Sequence, residues 1–200
     1  MEKVYEVSFE IAGPAAMFTR PDTGAAQVSY PAPTFSAAKG MFESIARWKS
    51  ACIRPTKVEI CSPVKYHKYI TNYGGPLRLD MGNSYIIPAT ILVDVCYRVY
   101  GVIEEVFNAP QGNNHRHALQ DFFNRRLNKG RFYYTPCLGW KEFVPSYVGE
   151  FRKDTKIQED INLVIPSMLY SVFNKISNGQ VEPKFTADVE VKNGELKYDK

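Results

Sequence analysis

Val4-Tyr-Glu-Val-Ser-Phe-Glu-Ile-Ala12, followed at once by Gly13-Pro14, is the stretch on which the fold turns. Tyr5, Val7, Phe9 and Ile11 fall on one face and Glu6, Ser8 and Glu10 on the other, the alternation of a half-buried strand. Gly13-Pro14 predicts its end, and Pro21, Gly24, Pro31 and Pro33 predict an irregular connection over 13–33. Thr34 then reads as a helix N-cap. Behind it Phe35, Ala38, Met41, Phe42, Ile45 and Trp48 recur at helical spacing, with Pro55 marking the exit. Val58, Ile60, Ser62, Val64 and Tyr66 alternate as a second strand, 71–84 reads as a loop, and Ile91, Val93, Val95, Tyr97 and Val99 form a third strand.

A second helix is predicted from His115 to Lys129, with Leu119, Phe122, Phe123 and Leu127 as its apolar stripe. Gly130 suits the left-handed position that closes a helix. Short strands are expected at Phe132–Thr135 and Glu142–Tyr147. Asn193-Gly194 stands between alternating Val189, Val191 and Leu196, Tyr198, which predicts a two-residue hairpin turn. The order is strand, helix, strand, strand, helix, strand, then a β-rich tail. It predicts an α+β chain: a ferredoxin-like (RRM-like) βαββαβ domain over 1–130, then a small antiparallel β-sheet over 131–200.

Two hundred residues can bury a core without disulfide or metal support. Hydrophobic residues at 44% and charged ones at 23% exclude a disordered chain. Cys52, Cys61, Cys96 and Cys137 show no CxxC spacing, so a zinc or thioredoxin-like site is not expected. Scattered thiols suit a reducing compartment. No apolar run reaches the roughly 18 residues a membrane helix needs, and the first residues do not read as a signal peptide. The expectation is a cytoplasmic protein with no membrane partner.

The net charge of +4 hides an uneven distribution. Asn113–Lys141 holds six basic residues against Asp121 alone, and Lys39–Lys68 holds seven against two acids. Glu150–Lys200 has eight basic and nine acidic residues. A basic face on one part of the molecule attracts a polyanion, although a solvated helix face would leave the same pattern. The 13 Tyr and 12 Phe could stack on bases, but Phe9, Phe42, Phe122, Phe123 and Tyr97 fall on apolar stripes.

No GxGxxG, Walker or GxSxG pattern is present, which argues against dinucleotide, P-loop and α/β-hydrolase chemistry. The carboxylates form no metal-site pattern, and no metal or cofactor is expected. His115-Arg116-His117 is the one place where titrating groups gather. An imidazole there can exchange protons near neutral pH, and arginine can hold a phosphate. That pair suits metal-free RNA cleavage, in which a 2′-hydroxyl attacks the adjacent phosphate. Two solvated histidines at a helix start are the plainer alternative.

Several longer motifs carry a resemblance. Phe18-Thr-Arg-Pro21, Ser29-Tyr-Pro-Ala-Pro-Thr-Phe-Ser-Ala-Ala-Lys-Gly40 and Glu43-Ser-Ile45 are similar to the N-terminal signature of the type I-C CRISPR repeat-processing subunit. Phe123-Asn-Arg-Arg-Leu-Asn-Lys-Gly130, Pro136-Cys-Leu-Gly-Trp-Lys-Glu-Phe143, Met168-Leu-Tyr170 and the Phe185–Tyr198 hairpin resemble its later portions. The similarity runs through nearly the whole chain. It implies membership of the repeat-associated RNA-binding superfamily and a metal-independent endoribonuclease that cuts precursor CRISPR RNA within the repeat hairpin. It further implies retention on the guide RNA in the type I-C surveillance (Cascade) complex, with that complex's other subunits as partners and double-stranded DNA as a further candidate.

The resemblance also implies a tyrosine in the first helix and a Lys-His pair before the second. The tyrosine position falls on Ala46 or Arg47, and the pair matches Arg116-His117. The catalytic candidates are therefore His117, Arg116 and His115, with Tyr30 as a replacement hydroxyl. Arg125, Arg126, Lys129, Arg131, Lys39 and Arg47 are the RNA-binding candidates. Because arginine is a poor general acid, a second reading stays open: a catalytically inactive structural subunit capping the guide's 5′ handle. A β-rich binding domain for another ligand is the third.

Overall fold

The computed structural model describes residues 3–24, 26–73, 85–106, 114–173 and 181–198. Among them are two α-helices, α1 (Phe35–Ile45) and α2 (His115–Lys129), and nine strands. The strands are β1 (Glu6–Ala16), β2 (Gln27–Val28), β3 (Ala51–Ile60), β4 (Lys65–Tyr73), β5 (Tyr85–Glu105), β6 (Tyr147–Gly149), β7 (Leu163–Phe173), β8 (Val181–Lys192) and β9 (Glu195–Lys197). All join one sheet in the order β6-β1-β5-β3-β9-β8-β7, with β2 and β4 also paired to β5. Every pair is antiparallel except β2 with β5.

β5 is the spine, 21 residues long. β1 pairs along its Leu92–Val102 portion. β3 takes Tyr97–Glu105 and β4 takes Tyr85–Val93. The registers of β3 and β4 follow one another along the same edge, separated by a bend at Cys61–Val64 where Cys61 N–H donates to the Cys96 carbonyl. The strand expected at Val58–Tyr66 is thus the end of β3 and the start of β4, with Pro63 at the break.

The helices cover the face that Tyr5, Val7, Phe9 and Ile11 present, all of them buried. Phe9 meets Phe42 of α1 at 5.0 Å between ring centroids and Phe123 of α2 at 6.2 Å, and those two rings lie 5.8 Å apart. Thr34 caps α1 by accepting from Ala37 N–H. Asn114 caps α2 by accepting from His117 N–H, and Gly130 closes it at φ 59°. Leu119, Phe123 and Leu127 are its buried stripe and Phe122 is half-buried. Asn193 and Gly194 both have positive φ, as the predicted hairpin turn demands.

Several local expectations are corrected. β1 does not stop at Gly13-Pro14 but runs to Ala16. β6 covers only Glu10–Ala12, so Pro14 stands where β1 has a strand neighbour on one side and the missing N–H costs no ladder bond. α1 ends at Ile45, since Ala46 is extended (φ −146°, ψ 126°), which leaves Trp48 outside the helix. Pro55 lies inside β3, at the register shift between Pro55 and Lys57. Phe132–Thr135 is not a strand: Tyr133 and Tyr134 N–H groups donate to the Ser44 carbonyl at the end of α1. Of Glu142–Tyr147 only Tyr147 is in a strand. β7 was not foreseen; Pro166 interrupts its apolar run. The expected 71–84 loop lies outside the described residues from 74 onward, and Thr71–Tyr73 belong to β4.

Behind the sheet, Glu10 is fully buried although the alternation set it on the polar face. It accepts from Arg152 Nε (2.5 Å), Thr155 Oγ1 (3.0 Å) and Arg152 N–H (3.2 Å), with Arg98 Nε at 3.4 Å. Burial alone would raise its carboxyl pKa, but the hydrogen bonds from Arg152 and Thr155 outweigh it and hold the group below its usual range. This cluster ties β1 and β5 to the segment after β6.

Candidate functional site

The N-terminus of α2 gathers the three catalytic candidates in one helical turn. His117 is half-exposed, and its Nδ1 lies 3.4 Å from Asp121 Oδ2, one turn along. That contact leaves Nε2 as the ring nitrogen turned away from Asp121. His115 Nδ1 is 3.0 Å from Ser50 Oγ, between α1 and β3. Arg116 Nε sits 3.8 Å from Glu105 Oε1, at the end of β5. Its guanidinium lies 5.7 Å from the centroid of the Tyr5 ring.

Tyr5 is the residue that sequence reasoning missed here. It is buried just ahead of β1, and its ring meets the His117 ring edge-on at 6.1 Å. Its hydroxyl accepts from Asn114 Nδ2 at 2.6 Å, and Lys3 Nζ lies 5.2 Å from its centroid. Asn114 thus caps α2 with its carbonyl oxygen and anchors Tyr5 with its amide nitrogen. One phenol backs both Arg116 and His117. Nothing in a linear sequence marks residues 5 and 117 as neighbours. Tyr30, by contrast, is a core residue. It is 1% exposed and its hydroxyl accepts from Leu169 N–H, while burial raises its phenol pKa.

The cationic candidates fall into two places. Lys39 and Arg47 share a cleft of about 340 Å³ with Glu43, Trp48, Lys49 and Leu119, between the end of α1 and the start of α2. Ala46, also on this cleft, is buried, so neither position carrying the implied tyrosine offers a hydroxyl. Arg125, Arg126 and Lys129 lie at the other end of α2, with Arg131 just beyond. Ten residues of helix span about 15 Å, so these cations do not touch the His115–His117 turn. Arg125, Lys129 and Arg131 are exposed. Arg126 is half-buried, its Nη1 donating to the Arg131 carbonyl at 2.9 Å.

A cavity of about 880 Å³ lies elsewhere. Glu6, Ser8, Lys57, Tyr100, Asn128 and Phe151 line it, and it holds none of the catalytic candidates. Tyr100 O–H donates to Glu59 Oε2 at 2.9 Å, and burial with that carboxylate raises the phenol pKa. Among the described residues no group of three or more His, Cys, Asp or Glu side chains could hold a metal ion, and no helix is long and apolar enough to cross a membrane.

A half-exposed imidazole beside a guanidinium, on a helix N-terminus whose free N–H groups favour anions, can bind a phosphate and move a proton next to it. The wider molecule, a large antiparallel sheet with a basic helix on one face, belongs to a class defined by comparison with known proteins. Residues 7–162 match the family model for CRISPR-associated proteins of the Cas5 type, in its Cas5d form. The chain belongs to this Cas5 family of CRISPR-associated proteins.

Two relatives carry the name CRISPR pre-crRNA endoribonuclease Cas5d. The Thermus thermophilus protein is 30% identical over 176 residues, covering 80% of this chain and 70% of its own length. The Mannheimia succiniciproducens protein is 30% identical over 162 residues, covering 68% and 69%. Two solved structures share the fold. One, described as a CRISPR-associated protein, has a TM-score of 0.73 at 18% identity and covers 100% of this chain and 95% of its own. The other, a functionally uncharacterised Streptococcus mutans protein, has a TM-score of 0.71 at 19% identity and covers 98% and 92%.

Proposed function

We propose that this chain is a metal-independent endoribonuclease that cuts precursor CRISPR RNA within the repeat hairpin. It then stays on the guide RNA as a subunit of the type I-C surveillance complex. The observation that carries the reading is the half-exposed His117 beside Arg116 on the first turn of α2, oriented by Asp121 and backed by Tyr5. The name pre-crRNA endoribonuclease borne by two relatives supports the reaction class.

In the proposed reaction the ribose 2′-oxygen attacks the adjacent phosphorus and the P–O5′ bond breaks. A 2′,3′-cyclic phosphate and a 5′-hydroxyl result. His117 takes the 2′-hydroxyl proton, and His115, held by Ser50, returns one to the departing O5′. Arg116 stabilises the extra negative charge on the phosphorane, which it can do without giving up a proton. Arg125, Arg126, Lys129 and Arg131 grip the hairpin backbone about 15 Å along α2, and Lys39 and Arg47 hold RNA at the cleft beside Trp48.

The strand order β6-β1-β5-β3, with a helix after β1 and another after β5, supports a ferredoxin-like βαββαβ reading whose first five elements lie within residues 1–130 and whose closing strand, β6, comes from beyond them. The remaining strands of 131–200, β7, β8 and β9, then act as its antiparallel β addition. Cytoplasmic location, the other subunits of the complex and double-stranded DNA as partners follow from the same reading.

One observation favours a second reading. Ala46 and Arg47 offer no hydroxyl at the cleft, which suits a subunit that caps the 5′ handle without cutting. Incubating the purified protein with its cognate repeat RNA in EDTA, beside His117→Ala, separates the two. Cleavage that survives EDTA and disappears in the variant supports the enzyme. Tight binding without a cut supports the cap, and absence of salt-sensitive repeat binding removes both.

A further inference from the structure

A run of rings lies open on the surface between the ends of the two helices. Trp48 is 42% exposed, Tyr133 54% and Tyr134 45%. Large apolar side chains left in water gain nothing from burial, so three in one place call for a partner. They are also held firmly. Tyr133 and Tyr134 N–H groups both donate to the Ser44 carbonyl, at 2.8 and 3.1 Å, and the two rings meet at 5.3 Å. Trp48 packs edge-on against Phe122 of α2 at 5.2 Å. The Arg126 guanidinium bridges the halves, 4.4 Å from the Phe122 centroid and 6.0 Å from that of Tyr133. Arg125 lies 5.6 Å from Phe122.

We propose that Trp48, Tyr133 and Tyr134, joined through Phe122 and the Arg125–Arg126 pair, form a stacking platform for unpaired RNA bases. The inference deepens the RNA-binding reading above and rests on it. Flat rings interleaved with guanidinium planes fit nucleobases joined by phosphates, because each base has a π-face and each linkage a charge for the arginines. A duplex hides those faces in its own stack, so the platform selects the unpaired nucleotides beside the hairpin. Charge favours RNA over a protein partner. The six residues include no acid, and Glu43, on the neighbouring cleft, is outnumbered by Lys39, Arg47 and Lys49. An apolar protein surface here would strip water from two arginines without neutralising them.

Fluorescence anisotropy with two RNAs tests this: the repeat hairpin alone, and the same hairpin with a flank of roughly eight unpaired nucleotides, within the usual single-strand site size. The full chain is compared with Tyr133→Leu/Tyr134→Leu, which keeps apolar bulk and loses the π-faces. The variant should bind the flanked RNA on the order of tenfold more weakly for each ring lost. It should bind the bare hairpin unchanged and keep the salt slope, since stacking releases no counterions.

A second readout does not depend on those tyrosines. The chain has two tryptophans, and Trp140 is part-buried with its indole N–H on Thr19 Oγ1. Flanked RNA should quench the fluorescence of the parent and spare Trp48→Phe. Unchanged binding to the flanked RNA, equal loss on both RNAs, or loss confined to a protein subunit of the complex would each overturn the platform. With bare-hairpin binding intact, those results leave the RNA reading standing. A parent that binds neither RNA in a salt-sensitive way removes both.

Discussion

Replacing Glu10 by Gln is the sharpest test of how the second face of the sheet is held. Glu10 is fully buried and accepts three hydrogen bonds from Arg152 and Thr155, with Arg98 close by. Glutamine keeps the shape but offers one acceptor oxygen, and turns an NH₂ toward donors. Breaking a buried ion pair costs about 3–5 kcal/mol. The Arg152 side chain is 39% exposed and can regain water, so the low end, about 3 kcal/mol, applies. For a chain of this size that lowers Tm by about 6–12 °C at neutral pH.

The dependence on pH gives a second handle. The folded-state carboxyl is held below the ordinary value of 4.5, so the unfolded chain binds the proton more tightly. The stabilisation is therefore complete above the unfolded value and disappears as pH falls through the folded one. Melting curves of parent and variant, followed by circular dichroism from neutral to acid pH, should converge in acid. A gap under about 2 °C at neutral pH, or one that persists unchanged in acid, would refute the reasoning.

Three further outcomes follow from the geometry. Gly139 has φ +91°, and a Cβ there would stand 1.8 Å from the Met17 carbonyl oxygen, so Gly139→Ala should cost more than about 3 kcal/mol and lower soluble yield. Asn114→Ala removes both the α2 cap and the Tyr5 anchor; a loss of about 2 kcal/mol in urea unfolding is expected, with RNA cleavage falling further than stability because His117 sits on the freed turn. Arg125→Ala and Lys129→Ala should each weaken repeat binding across sequences and flatten the salt slope by about 0.7–0.9, read from affinities at several salt concentrations.

The parts of the fold that were legible in the sequence are those whose ends are set by local chemistry. α2 runs from His115 to Lys129 as expected, because a glycine free to take positive φ closes it. The Asn193-Gly194 turn is of the same kind. The misreadings share a cause. Pro14 and Pro55 look like terminators, yet each occupies a place where the sheet asks for no donor, one beyond the reach of β6 and one at a bulge. Whether a proline breaks a strand depends on its neighbours in space. Trp48 kept helical spacing although the chain had already left the helix at Ala46.

The candidate site was half visible. His115 and His117 announce themselves as two imidazoles flanking the Arg116 guanidinium. Tyr5 and Ser50, which touch them, come from distant elements and leave no local trace. The RNA-binding candidates at the end of α2 were legible as charge, and the structure adds that Arg126 lies flat against Phe122 and Tyr133.

The position of β9 bears on the order of assembly. β3 pairs with β5 on one side and on the other with β9, whose Glu195 carboxylate receives Lys57 Nζ across 138 residues of chain. A chain emerging from the ribosome can close β1, β3 and β5 around Phe9 long before that partner exists. Through that interval Lys57–Glu59 is a bare strand edge, open to pairing with any extended segment nearby. β9, made some 138 residues after that edge, is the strand that shuts it. A nascent chain stalled before β9 should therefore be folded around its first core and still prone to self-association, as a chain that includes β9 is not.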